Sequence, residues 1–174
     1  EYCYAVRFPS FVGVVRPRFK LLEQIEGMAK NTRLKLPVMI SDCADAYQAL
    51  EEEFQITRKC VEALAKHGFP LLVVTKSDMV VRDIDIFKQT QTVVAVTITT
   101  PREEIASLIE PHAPPPEKRL SALQKIVENG VPAVSRIDPI LQGLNDDLRD
   151  LEDLVSSLAN VGVRQVTVST MKLA

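Results

Sequence analysis

Short apolar runs rich in valine, isoleucine and threonine recur along the chain, and between them apolar residues fall at helical spacing. The clearest run is 71–77, Leu-Leu-Val-Val-Thr-Lys-Ser, which follows Gly68-Phe69-Pro70 and ends in Thr75, Lys76 and Ser77. A continuous apolar stretch bounded by turn residues predicts a strand buried on both faces. Similar runs predict strands over 37–41, 92–98, 132–138 and 163–170. Leu21, Leu22, Ile25, Met28 and Ala29 predict a helix over 19–30. Leu50, Phe54, Val61 and Leu64 predict one over 50–66, ended by Gly68 in the left-handed cap position. A loop and a short helix carrying Ile84, Ile86 and Phe87 fill 78–89. Thr100, Pro101 and Glu103 predict a capped helix start, and that helix ends near Glu110. The proline-rich loop 111–116 precedes a helix marked by Leu120, Leu123, Ile126 and Val127. Asn145 or Asp146 is the predicted cap of a last helix with Leu148, Leu151, Leu154, Val155 and Leu158.

One helix, then strand–helix units, then a final strand make a rhythm that predicts parallel strands joined by right-handed crossovers. Two architectures fit: part of a (β/α) barrel, or a doubly wound sheet. The chain contains no GxGxxG and no P-loop, which counts against the nucleotide-binding folds. Polar residues close nearly every strand: Ser41 and Asp45, Thr75 to Ser77, Thr97 and Thr99, Arg136 and Asp138, Ser169 and Lys172. A ring of such ends around one mouth favours a barrel-type site. Arg136 and Asp138 point to the same side of their strand. A charged pair there costs free energy unless it is paired or bound.

Composition narrows the class without naming a partner. The 174 residues suffice for one domain with a sizeable core, taken as 1–174. A net charge of -2 gives no global reason to expect nucleic acid or a membrane surface. No apolar run reaches the length of a membrane span. The 3 cysteines, an odd number, argue against a disulfide scaffold and for a reducing, cytoplasmic setting. Taken alone, Cys3 reads as a small buried hydrophobe. Glu51, Glu52 and Glu53 lie in a first helical turn, where they suit the dipole, and read as a solvated acidic face. The chain opens on Glu1 without a methionine and stops soon after Met171-Lys172, so a fragment of a longer protein is expected.

Several stretches, in their order and spacing, resemble a radical S-adenosylmethionine (radical SAM) enzyme of the spore photoproduct lyase-related group. They are Tyr2-Cys3-Tyr4-Ala5, SDCADAYQALEEEFQITRKC, VVTKSDMVVRDIDIF, VAVTITT, the 110–116 loop and SRIDPI with GLND after it. The resemblance implies an α/β fold, the partial (β/α)6 TIM-like barrel of this class, here lacking its first strand. The edge of the following strand would then be left open, which predicts self-association of the isolated chain. The implied cofactors are a [4Fe-4S] cluster and S-adenosylmethionine. The family's cluster loop reads CxxxCxYCYA, which makes Cys3 a cluster ligand and reverses its isolated reading. The loop's other cysteines would precede Glu1, so this chain alone is expected not to assemble the cluster. Cys43 and Cys60 lack ligand spacing and are expected to be structural. Ala46 and Ala49 stand where the family usually has proline.

Carried over position by position, the resemblance places Ser41 and Asp45 near the methionyl amine. Lys76 would approach the methionyl carboxylate. Thr97 and Thr99 would contact ribose or carboxylate, and Arg136 would do likewise, oriented by Asp138. Glu110 and His112 lie on the substrate side, with His112 read as a loop residue. The implied reaction is reductive cleavage of S-adenosylmethionine to a 5′-deoxyadenosyl radical that abstracts hydrogen from substrate. The partners are a flavodoxin- or ferredoxin-type electron donor and an unspecified substrate, with nucleic acid entering by analogy to the lyase. Two other readings stand beside this one: a Schiff-base, aldolase-like barrel enzyme using Lys76, and a non-catalytic barrel remnant without a cluster.

Overall fold

The computed structural model describes residues 15–41 and 44–171. Its elements run α1 (Leu21–Asn31), β1 (Val38–Ile40), α2 (Leu50–Phe54), α3 (Ile56–Lys66), β2 (Leu71–Thr75), α4 (Ile84–Phe87), β3 (Thr92–Thr97), α5 (Glu103–Ile109), α6 (Pro116–Glu128), β4 (Ala133–Ile140), α7 (Leu148–Asn160) and β5 (Val166–Thr170). A 3₁₀ helix, Asp78–Asp83, joins β2 to α4.

The strands form one parallel 5-stranded sheet in the order β1-β2-β3-β4-β5. Each strand is laid beside the one before it. A doubly wound sheet needs a point where that order reverses. Steady stepping in one direction with right-handed crossovers instead keeps the helices on one face and curls the sheet toward a barrel. The partial-barrel architecture is therefore the observed one, and the sheet is not closed.

Register and burial assign the two faces. Val73, Val94 and Ile137 are buried in a core with Leu64 of α3, Leu123 and Ile126 of α6, and Leu154 and Leu158 of α7. The alternate residues, Leu72, Val93, Ala95 and Val134, therefore face away from the helices. Val74 pairs with Ala95 and Thr97 pairs with Arg136, so this parity runs across the sheet. Continued past the strand ends, it sends Lys76, Thr97, Thr99, Arg136 and Asp138 to the helix-free side at the carboxyl edge. β2 is accordingly not buried equally on both faces. Leu71, Val73 and Thr75 are buried, while Leu72 and Val74 on the open side are half-buried.

Local chemistry overrides the sequence pattern at three helix starts. The helix over 50–66 is two helices, broken at Gln55, which sits at φ 50° and ψ 37°. Glu51 explains the break: its carboxylate accepts from the backbone N–H groups of Thr57 (2.9 Å) and Arg58 (3.0 Å), capping α3. Glu51 is thus buried rather than part of a solvated face; Glu52 and Glu53 are exposed. Helix α5 starts after Arg102, and Thr100 closes only a turn, its hydroxyl accepting from Arg102 N–H. Asp147, not Asn145 or Asp146, caps α7.

Candidate functional site at the strand ends

The segment after β1 is pinned from several directions. The Ser41 hydroxyl accepts from Ala46 N–H (2.7 Å) and donates to the Ala44 carbonyl (3.0 Å). Asp45 accepts from Tyr47 N–H at 2.9 Å, the Thr75 hydroxyl at 2.7 Å and Lys76 N–H at 2.8 Å. One carboxylate thereby ties the loop after β1 to the end of β2. Behind it, the Tyr47 hydroxyl donates to fully buried Asp83 at 3.0 Å, and Thr57 donates to the Ala46 carbonyl at 2.6 Å. Burial first, and then the charge of Asp83, push the Tyr47 phenol well above its ordinary value. It is a fixed hydrogen-bond donor at any working pH. Arg58 and Arg82 both pair with Asp83, so its buried charge is compensated.

At the end of β2 the Lys76 side chain projects into the mouth, its Nζ 3.8 Å from Glu110 Oε1. Glu110, buried just past α5, is held in turn by Arg119 Nη1 at 2.5 Å. Arg119 is itself fully buried and donates to the carbonyls of Pro114 (2.6 Å) and Thr97 (3.1 Å). On β4 and β5, Arg136 and Ser169 both donate to Asp138. Burial acts to raise the Asp138 pKa. The hydrogen bonds from Ser169 and Arg136, with the positive charges of Arg136 and Lys76, outweigh it and hold the carboxyl below its ordinary value. Asn145 bridges the Thr99 carbonyl (2.7 Å), the Pro139 carbonyl (3.2 Å) and Leu141 N–H (2.6 Å), fixing β3 against the turn after β4.

Three buried polar atoms at this edge have no hydrogen-bond partner among the described residues: the Thr99 hydroxyl, Arg136 Nε and, deeper, Arg119 Nη2. A buried donor without a partner costs free energy. By strand parity Thr99 and Arg136 lie on the helix-free side, where a polar ligand would satisfy them.

The structure thus brings Lys76, Thr97, Thr99, Arg136 and Asp138 to one edge, with Asp45 at its rim. Ser41 and Asp45 spend their hydrogen bonds largely on loop geometry. His112 is exposed in its loop, as the sequence suggests. Cys60 is buried, and burial, with the charge of Glu51, pushes its thiol up to about 11, which fits an inert structural thiol. Cys3, Cys43 and Lys172 lie outside the described residues, and the described residues hold no cluster of His, Cys, Asp and Glu suited to a metal ion. No helix among them is long and apolar enough to cross a membrane. Sequence reasoning missed Arg119, Asn145 and the Tyr47–Asp83 pair, whose roles depend on long-range packing; Ser169 was visible as a polar strand end.

A family model described as the radical SAM superfamily matches residues 1–169. An uncharacterised protein of Methanocaldococcus jannaschii is 35% identical over 125 residues, covering 71% of this chain and 48% of its own length. The chain spans less than half the length of the curated relatives it matches. Among solved structures, a spore photoproduct lyase variant with bound S-adenosylmethionine and dinucleoside spore photoproduct superposes with a TM-score of 0.71 at 15% identity, covering 99% of this chain and 53% of that one. Streptococcus suis SuiB bound to S-adenosylmethionine superposes with a TM-score of 0.64 at 8% identity, covering 92% and 35%.

Proposed function

The chain belongs to the radical SAM superfamily, whose cofactors are a [4Fe-4S] cluster and S-adenosylmethionine, and from that premise we propose that it is the core of an enzyme working on an organic substrate by hydrogen abstraction. The bound cofactors supply a 5′-deoxyadenosyl radical after one-electron reduction; a flavodoxin- or ferredoxin-type protein is the electron donor. The observation that carries the reading is the placement on one edge of Lys76 with two buried polar atoms, Thr99 Oγ1 and Arg136 Nε, that have no partner among the described residues.

The chain's own residues bind and orient. Lys76 and Arg136 meet the methionyl carboxylate, with Arg136 aligned by Asp138, which Ser169 holds in turn. Thr97 and Thr99 contact ribose or carboxylate. The loop of Ser41 and Asp45 lies toward the methionyl amine, and Asp45 keeps that loop in fixed relation to Lys76. Cys3 is the cluster ligand this chain contributes. Superfamily membership replaces the aldolase-like reading of Lys76.

The test is anaerobic reconstitution of the full gene product with iron and sulfide, followed by assay of 5′-deoxyadenosine from S-adenosylmethionine. Cleavage that disappears with Cys3→Ala is expected, as is a raised KM for S-adenosylmethionine with Lys76→Met. Wild-type protein without cluster or cleavage would leave a non-catalytic barrel as the reading. By analogy with the lyase, a dinucleotide thymine photoproduct is the first substrate to add. Its repair would extend the proposal to nucleic acid, and failure to turn over would remove that extension.

A further inference from the structure

A row of alternating charges crosses the mouth: Arg119, Glu110, Lys76, Asp138 and Arg136. Its links are the Arg119–Glu110, Lys76–Glu110 and Arg136–Asp138 pairs, with the charge of Lys76 also felt at Asp138. The row is unevenly anchored. The Arg119 and Glu110 side chains are 1% and 3% exposed, whereas that of Lys76 is 32% exposed. A lysine ammonium on its flexible stem loses rotamer freedom when it must meet a ligand at one point. A carboxylate already locked in place removes much of that loss before binding. Glu110 is so locked, because Arg119 is fixed at the same time to the Thr97 and Pro114 carbonyls and cannot follow the lysine outward.

We infer that Glu110, held by Arg119, is a positioning residue that orients the Lys76 ammonium toward the methionyl carboxylate of S-adenosylmethionine. The inference rests on the assignment of Lys76 made under the proposed function. A lysine ammonium has several N–H donors, so a ligand carboxylate adds to Glu110 instead of displacing it. The pairing also explains a buried arginine that otherwise touches only backbone. Its fork spans the end of β3, the loop before α6 and the Glu110 carboxylate that pairs with Lys76.

The single change Glu110→Gln would leave the Arg119 charge buried and unpaired, which threatens folding. The paired change Glu110→Leu with Arg119→Met removes one charge of each sign, keeps the net charge and deletes the anchor together with the Arg119 bonds to the Thr97 and Pro114 carbonyls, a loss that both ligands would feel alike. Glu110→Asp keeps the charge and withdraws the carboxylate by one methylene. Binding of S-adenosylmethionine and of its decarboxylated analogue to the reconstituted full gene product is measured by equilibrium dialysis. The paired variant is expected to bind S-adenosylmethionine about tenfold more weakly, the equivalent of one charge-assisted hydrogen bond poorly made. Its affinity for the decarboxylated analogue should fall by less than that for S-adenosylmethionine, and adding Lys76→Met should cost S-adenosylmethionine less than Lys76→Met costs in the wild-type background. Glu110→Asp should show a smaller loss with the same selectivity. Equal loss of both ligands would reveal a merely structural role and overturn the inference, as would unchanged or tighter binding of S-adenosylmethionine. Lys76→Met alone must also discriminate between the two ligands. If it does not, the assignment of Lys76 falls and takes this inference with it; if it does, and the paired variant does not, only the inference falls.

Discussion

Asp138 is a carboxylate that the fold keeps charged in spite of partial burial. Ser169 and Arg136 donate to it, and these bonds with nearby positive charge hold its pKa below the ordinary value. A carboxylate whose folded pKa is depressed contributes stability that is present above its unfolded value and is lost as pH falls through the folded one. The window therefore lies below about pH 4, the ordinary aspartate value. The urea midpoint of the wild-type protein should fall more steeply with acid in that range than the midpoint of Asp138→Asn. Parallel profiles would show that the Arg136–Asp138–Ser169 arrangement adds nothing to the folded state. Because the pair is partly exposed, the difference should be modest and should shrink in salt. The same triad carries function in the proposed reading, since it sets the direction of the Arg136 guanidinium.

The break at Gln55 shows how a buried side chain can outrank helical periodicity. Read from apolar spacing, 50–66 is one helix; Val61 and Leu64 lie in the core, whereas Leu50 and Phe54, before the break, are half-buried outside it. Nothing in that spacing announces that Glu51 turns back to cap α3 while Arg82 pairs with it from across the fold at 2.9 Å. The left-handed conformation forced on Gln55 costs a residue with a Cβ about 1 kcal/mol. Gln55→Gly should therefore stabilise the protein by about 0.5–1 kcal/mol, whereas glycine inside a continuous helix would destabilise it by a similar amount. Chemical denaturation of that one variant reads the sign directly. Elements defined by their own composition were legible for the same reason that this one was not. The valine-rich strands, Gly68 at its left-handed cap (φ 75°) and the polar strand ends are written locally. The Glu110–Arg119 pair, the Asn145 bridge and the placement of Asp45 against Lys76 N–H join distant segments, and no spacing rule reaches them. For Asp45 there was a local signal: an aspartate followed two residues later by a bonded backbone N–H is an Asx turn.

At the scale of the molecule, one parity rule sorts chemistry from packing, and the outer strands show its limit. Residues facing the helices are buried in the middle of the sheet: Ile137 of β4 is 2% exposed. Val168, its register partner on β5 and on the same face, is 53% exposed. At the opposite edge, Met39 of β1 is 47% exposed and nearby Leu36 is 61% exposed. Among the described residues β1 and β5 each pair on one side only. Open parallel edges with apolar side chains recruit further strands unless they are charged or covered. The 174-residue chain expressed by itself should therefore self-associate, with a sedimentation coefficient that rises with concentration. Val168→Lys places a charge on one such edge without touching the strand-end site, and it should flatten that dependence while leaving the far-ultraviolet circular dichroism unchanged. A wild-type chain that sediments as a monomer at every concentration would mean that these edges are covered in solution. If wild type and Val168→Lys associate equally, the β1 edge becomes the contact, and a charge at Met39 is the variant that separates the two.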